Sequence, residues 1–196
     1  MLLKIIGAGA LALASIAASA DEVEDQIGLG LEAYRNKEFR TAIDDLNYAV
    51  AQIREQLDAQ NAVLLPEPLA GWTAGEVENA SASMAMMGGG THMSRTYQRG
   101  SESIEITVTA GSPMMAAALA MMNNPMLLSS DPSLKPYRYQ RIKGMKKHAG
   151  DRTEVTLGIA GQIMLQLNAD RLSDEAIIEQ YLDAIDFDRI REAFLQ

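Results

Sequence analysis

The sequence predicts an α+β protein: an N-terminal antiparallel helical hairpin, followed by a mostly antiparallel sheet with two helices packed on one face. Three observations carry this. Apolar residues recur at helical spacing from residue 21 to residue 60, whereas from residue 103 onward they alternate with polar ones at the period of a strand. Between the two regimes stands NAVLLPEPLAGW, residues 61–72, whose two prolines and Gly-Trp pair interrupt both patterns. Strand-like segments that follow one another, interrupted by only two helices, favour an antiparallel sheet over a doubly wound parallel fold. The predicted organisation is therefore residues 1–20, a leader; 21–60, the hairpin; 61–72, a boundary; and 73–196, the α+β domain.

The leader reads MLLKIIGAGALALASIAASA. Lys4 precedes an apolar run from Ile5 to about Ile16, and the small residues Ala18 and Ala20 flank Ser19. This is the layout of a cleaved secretory signal peptide. About twelve apolar residues fall short of the roughly 20 that cross a bilayer, and no later segment is long and apolar enough, so no integral membrane segment is expected in the mature chain. The chain has no cysteine, which removes lipid attachment at a lipoprotein-type cysteine. The expected location is the periplasm.

In the hairpin, Val23, Ile27, Gly30, Leu31 and Tyr34 form one stripe. After the polar break Arg35-Asn36-Lys37-Glu38, a second stripe runs through Phe39, Ala42, Ile43, Leu46, Ala49, Val50, Ile53 and Leu57. A break this short folds two helices back on each other. GLGLEAYRNKEFRTAIDDLNYAV resembles a tetratricopeptide repeat: Gly30 and Ala33 are small where the helices approach, Tyr34 is large near the turn, and Phe39, Ala42, Leu46 and Ala49 keep the second-helix spacing. The tyrosine-to-phenylalanine interval is one residue short of the common pattern. No second copy follows, although such repeats need about three units to close a core. A lone hairpin needs another surface, so Tyr34, Phe39, Leu46 and Ile53 are expected to pack against the sheet domain or against a second copy.

Beyond the boundary, Ser94–Arg99 is strand-like and Gly100-Ser101 signals a tight turn. Ile104, Ile106 and Val108 then alternate with Glu105, Thr107 and Thr109, the pattern of a strand with one wet face. Ser112-Pro113 opens a methionine- and alanine-rich helix that Asn123-Asn124-Pro125 ends. Tyr137–Lys146 and Arg152–Ala169 are extended, the latter turning at Ala160-Gly161-Gln162. Ser173 is expected to cap a final helix with Asp174 and Glu175 in its first turn and Ile177, Ile178, Tyr181, Leu182 and Ile185 on its buried stripe. Residues 64–194 resemble an uncharacterised family of exported Gram-negative bacterial proteins. The resemblance lies in the glycine-rich turn before SRTYQRGSESIEITVTAGSP, the helix ending at Asn-Pro, and the C-terminal YLDAIDFDRI. It implies a periplasmic α+β domain and supplies no catalytic residues.

Without Lys4, 16 basic residues face 26 acidic ones, a net charge of −10. Such a surface repels polyanions and disfavours nucleic-acid binding. The chemistry-bearing stretch is SMAMMGGGTHMSR. Thioethers and imidazole suit Cu(I) or Ag(I), so Met84, Met86, Met87, His92 and Met93 are a candidate ligand set, but methionine filling apolar gaps beside a glycine bend is the favoured reading. A phosphate loop needs its glycines ahead of a helix and a Gly-Lys-Ser/Thr; neither is present. Asp44-Asp45, Asp174-Glu175 and the Asp183/Asp186 pair offer carboxylates to a hydrolase, yet each falls on a polar helix face or terminus. KGMKKHAGDR, with Lys143, Lys146, Lys147, His148 and Arg152, reads as an exposed basic loop between strands.

The expected function is that of a periplasmic, non-enzymatic accessory or binding protein, without catalytic residues or cofactor. It would contact an envelope protein or a second copy through the hairpin. A Cu(I)/Ag(I) carrier and a carboxylate-pair hydrolase are the alternatives. Cleavage after Ala20 predicts an exported chain beginning at Asp21, and intact-mass measurement checks it. Recovery of residues 1–20 in a membrane-bound product contradicts it.

Overall fold

The computed structural model describes residues 10–80, 90–112, 119 and 131–195, with side chains from residue 22 onward. The chain divides into two compact units, Met1–Leu57 and Asp58–Gln196. In the first, helix α1 (Ala10–Arg35) runs without a break through the Ala20–Asp21 junction, and helix α2 (Phe39–Asn61) follows a three-residue turn. Lys37 takes a left-handed conformation, φ 65°, and closes the end of α1: its N–H donates to Tyr34 O at 3.1 Å, and Glu38 N donates to Ala33 O at 2.9 Å.

The helix pair meets on small side chains. Val23, Gly30, Ala33, Ala42 and Ala49 are the residues it buries. A Cβ on Gly30 would lie 2.8 Å from Leu46 Cγ, so glycine alone permits this approach. Gln26 Nε2 donates to Asp45 Oδ1 at 3.1 Å across the pair. The single apolar stripe expected on α1 is therefore two rows. Val23, Gly30 and Ala33 are buried, whereas Ile27, Leu31 and Tyr34 are exposed.

The second unit is a seven-stranded antiparallel sheet in the order β1-β2-β3-β7-β6-β5-β4. Its strands are β1 (Thr73–Asn79), β2 (Thr91–Arg99), β3 (Glu102–Ala110), β4 (Leu134–Tyr139), β5 (Ile142–Ala149), β6 (Arg152–Ile159) and β7 (Ile163–Asp170). Two meanders, β1-β2-β3 and β4-β5-β6-β7, join where β3 pairs with β7. Register places Ile106, Leu167 and Val155 in one cross-strand row and Val108, Leu165 and Leu157 in the next. All six are fully buried. The opposite face is polar, with Thr107, Gln166 and Thr156 in one row; Gln166 Nε2 donates to Glu154 Oε1 at 2.8 Å. Of the expected methionine-rich helix, Leu119 is described. It is helical and buried and lies against Gly158, on this polar face.

Two short helices, α3 (Ala176–Asp183) and α4 (Phe187–Phe194), cover the apolar face. Ile177, Ile178, Tyr181, Leu182 and Ile185 are buried as anticipated, joined by Phe187 and Ile190. One expected helix becomes two because Asp186 caps α4, accepting from Asp188 N at 3.1 Å and Arg189 N at 3.0 Å. Ser173 does not cap α3. Its N–H and Oγ donate to Glu102 Oε1 at 2.7 and 2.6 Å, and Asp174 Oδ1 accepts from Ala176 N in its place. The boundary residues are packed rather than loose: Leu64, Leu65 and Trp72 are core, and Tyr97 Oη donates to Pro66 O at 2.7 Å.

KGMKKHAGDR is not a loop. It forms β5, a turn at Gly150-Asp151, and the start of β6, and its charges tie the helices and turns to the sheet. Lys146 Nζ reaches Glu175 Oε2 at 2.7 Å, and Thr153 Oγ1 donates to Glu175 Oε1 at 3.1 Å. Tyr139 donates to Asp183 of α3; burial and that carboxylate push its hydroxyl up to about 12.

Glu102 is held at about 2, against an ordinary 4.5, by the Arg99 Nε–H at 2.7 Å and the two Ser173 donors. The unfolded carboxyl takes up its proton near 4.5 and the native one only near 2. The group therefore stabilises the fold fully above the higher value, and this stabilisation fades as pH falls toward the lower one. Glu102→Gln is expected to lower the urea midpoint at pH 7 and to flatten its acid dependence between those two values. An unchanged acid limb contradicts the assignment.

Candidate functional site

α2 carries large apolar residues at Phe39, Ile43, Leu46, Val50, Ile53 and Leu57, spaced 4-3-4-3-4. That is a strict heptad seam, with Ile43, Val50 and Leu57 at a and Phe39, Leu46 and Ile53 at d. These residues are 40–58 % exposed. The contact with α1 uses Ala42 and Ala49, on the adjoining strip of the same helix, with Leu46 at the border against Gly30. On α1, Ile27, Leu31 and Tyr34 repeat the spacing, 40–59 % exposed. Each row is offset from its helix's small-residue seam by the same angle, and antiparallel packing reverses the sense of that offset, so both rows lie on one side of the pair. The Tyr34 and Phe39 rings confirm the continuity, meeting edge to face with centroids 5.8 Å apart.

With roughly half of a ~200 Å² side chain open at each position, the nine residues present on the order of 800 Å². One partner of a standard interface buries about that much, and the largest patch on a monomer is usually about 300–600 Å². In the second unit, among the described residues, only Val63 and Leu195 are large apolar residues of comparable exposure. Tyr34, Phe39, Leu46 and Ile53, singled out from the sequence, all belong to this face. Ile27, Leu31, Ile43, Val50 and Leu57 complete it, and the 4-3 spacing was the signal for them.

Of the methionine stretch, Met84, Met86 and Met87 lie outside the described residues. His92 and Met93 are neighbours in β2 and point to opposite faces. Met93 is fully buried in the core, while the His92 imidazole Nδ1 is 3.0 Å from Thr109 Oγ1 on the polar face. The structure therefore does not bring these two together. β1 and β2 are antiparallel neighbours, so residues 80–90 connect them. Gly90 has φ +112°, and a Cβ there would lie 2.7 Å from Ala110 O, which explains one of the three glycines.

The carboxylate pairs serve local structure. Asp45 accepts from Gln26, Asp174 from Ala176 N, Asp183 from Tyr139, and Asp186 caps α4. Glu175 is held below the usual carboxylate range, chiefly by Lys146. Among the described residues no group of three or more His, Asp or Glu is placed to hold a metal ion.

The basic residues regroup. Lys146, Lys147 and Arg152 pair with Glu175, Asp131 and Asp170. Lys143 joins Arg138, Arg141 and Arg191 around an open cavity of about 620 Å³ at the β4–β5 turn, floored by Ile142 and Leu119. Arg138, Arg141 and Lys143 are exposed, as solvated charges at a strand end ordinarily are. Arg191 comes from α4, so no single stretch of sequence signals this grouping.

No known protein family, characterised protein or solved structure matches the chain.

Opposite faces make opposite demands. Met93→Ala is expected to cost about 2–4 kcal/mol in urea unfolding, as a fully buried large-to-small change does, whereas His92→Ala costs about 1 kcal/mol or less. Equal effects contradict the division into a core face and a polar face.

Proposed function

We propose that this is a non-enzymatic accessory protein of the periplasm that acts by protein–protein contact through the apolar face of the α1–α2 hairpin. The observation that carries the reading is the exposed heptad row on α2, flanked by its shorter counterpart on α1. An apolar face of this size on a soluble protein marks an interaction site. The 3.5-residue period suits a helical partner, because only another helix follows such a seam along its length. The signal-type leader supports export. The tetratricopeptide-like order of small and large residues fits a hairpin that stacks on further helices.

The cysteine-free chain makes the test clean, since a single introduced thiol is uniquely addressable. Ile43→Cys, on the face, and Gln98→Cys, exposed on β2, are labelled with a maleimide in periplasmic extract and again after purification and dilution. The expected result is that Ile43→Cys reacts at least about tenfold more slowly in the concentrated state, which corresponds to about 1.4 kcal/mol of protection. Gln98→Cys should react alike in both. Equal reactivity of Ile43→Cys under both conditions contradicts the proposal.

A further inference from the structure

Independently of the hairpin, we infer that the open cavity at the β4–β5 turn binds a small phosphate monoester, its oxygens held by Arg138, Arg141 and Lys143.

These three cations stand in an arrangement that an anion would relieve. β4 and β5 are joined by the two-residue turn Gln140-Arg141, and both residues are left-handed, with φ 45° and 70°. Glycine takes this conformation without steric cost. Each of the other described hairpin turns has one there, Gly100, Gly150 and Gly161, whereas Arg141 holds a guanidinium at a strained position. The other arginine in this conformation, Arg171, spends its side chain on Ser101 O at 2.8 Å. Arg141 lines the cavity and makes no hydrogen bond or ion pair among the described residues.

On the flanking strands, register sets Arg138 directly opposite Lys143, and like charges so placed repel. Lys135 and Lys146 are opposed in the same way, but Glu175 relieves Lys146. No described carboxylate pairs with Arg138 or Lys143, and residues 81–89, 113–118 and 120–130, outside the described set, contain no Asp or Glu. Asp183, Asp186 and Asp188 line an adjoining depression with Gln140 and Arg191. They are already engaged: Asp183 accepts from Tyr139, Asp186 caps α4, and Asp188 pairs with Arg191. Arg191 therefore counts as neutralised, and the excess charge of the cavity is that of the other three.

A phosphate monoester brings close to two negative charges and three terminal oxygens, the complement of two guanidinium forks and an ammonium. The volume of about 620 Å³ suits a small molecule. Extended polyanions are disfavoured by the net charge of the whole chain, −9. Pro136, two residues from Arg138 on the same face, and Leu119, seated over Gly158, form apolar wall. The organic group of the ester is accordingly apolar.

The experiment titrates the exported protein calorimetrically with phenyl phosphate at constant ionic strength. Saturable binding is expected, with a Kd at or below about 1 mM and about fivefold tighter than for inorganic phosphate, because the ring reaches the apolar wall. Arg141→Gly should weaken binding about tenfold and leave the melting temperature equal or higher, since charge and strain are removed together. A purely structural role for Arg141 would instead lower the melting temperature. Arg152→Gln, which removes an equal charge at the far end of β6, should bind as the unchanged protein does. Three outcomes overturn the inference: no saturable binding, an Arg141→Gly protein that binds as before, or an equal loss in Arg152→Gln. So does sedimentation with phosphatidate vesicles by a protein that ignores phenyl phosphate, which would place these cations at a lipid surface.

Discussion

Eight consecutive residue pairs between β3 and β7, from Ser103↔Asp170 to Ala110↔Ile163, hold the sheet together. They join strands more than fifty residues apart in sequence, and each flanking meander is otherwise a run of local hairpins. The pairing is worth its loop-closure entropy because it completes the buried rows. Ile104, Ile106, Val108 and Ala110 meet Ala169, Leu167, Leu165 and Ile163 on one face, and α3 and α4 then cover that face. The side-chain period of a strand is two, so a slip of one residue would turn every one of these side chains to the polar side. The register is thus specified by the same alternation that makes the core, and the ion pairs of Lys146 and Glu102 and the Tyr139–Asp183 hydrogen bond fix helices and turns onto a platform already determined.

The hairpin meets the same need, covering large apolar side chains, with a different outcome. Its helices spend their mutual contact on Gly30, Ala33, Ala42 and Ala49. Small residues let the backbones approach closely: Leu46 lies against Gly30 at the border of the contact and stays 40 % exposed, and the other large residues of its row are exposed as well. What would be a core in a three-helix arrangement becomes a surface here. A two-helix unit has only one internal interface, and placing small residues there commits the large ones to an external one. The proposed function follows from that allocation rather than from any catalytic grouping. Asp174, Asp183, Asp186 and Glu175, with Lys146, Lys147 and Arg152, are occupied in caps, turns and strand-to-helix ties.

Where pattern and packing agree, the sequence was legible. The β6–β7 hairpin turns at Ala160-Gly161-Gln162, and the buried set of α3 was readable residue by residue, because these segments have one apolar face and unambiguous punctuation. β1 was not readable: its pairing shifts between Ala74 and Val77, and a bulge destroys the alternation that signals a strand. β5 was read as extended only as far as Lys146, with the KGMKKHAGDR stretch taken for a loop, because its lysines point to both faces near the sheet edge, Lys146 reaching across to Glu175. Asp186 was read only as a charge on a polar helix face or terminus, whereas its side chain accepts from Asp188 N and Arg189 N, and that cap divides the last helix. At the candidate site, four residues were legible as members of an apolar stripe. The heptad was hidden because alanines at helical spacing were read into the same stripe, when in fact they belong to the opposing seam.

Removal of the leader, as proposed, would shorten one helix of the hairpin. α1 runs from Ala10 to Arg35, and cleavage after Ala20, as proposed, would leave Asp21–Arg35. A helix of about 15 residues is marginal in water and depends on tertiary burial for its stability. Its remaining intramolecular contact, through Val23, Gly30 and Ala33, buries little apolar surface per residue. The exposed row of Ile27, Leu31 and Tyr34 therefore holds most of the burial still open to the shortened helix. On this view, a partner that covers the face would support α1 as well as α2. Before cleavage the longer helix has residues 10–20 as additional length, so on this proposal the need for a partner is greatest in the processed chain.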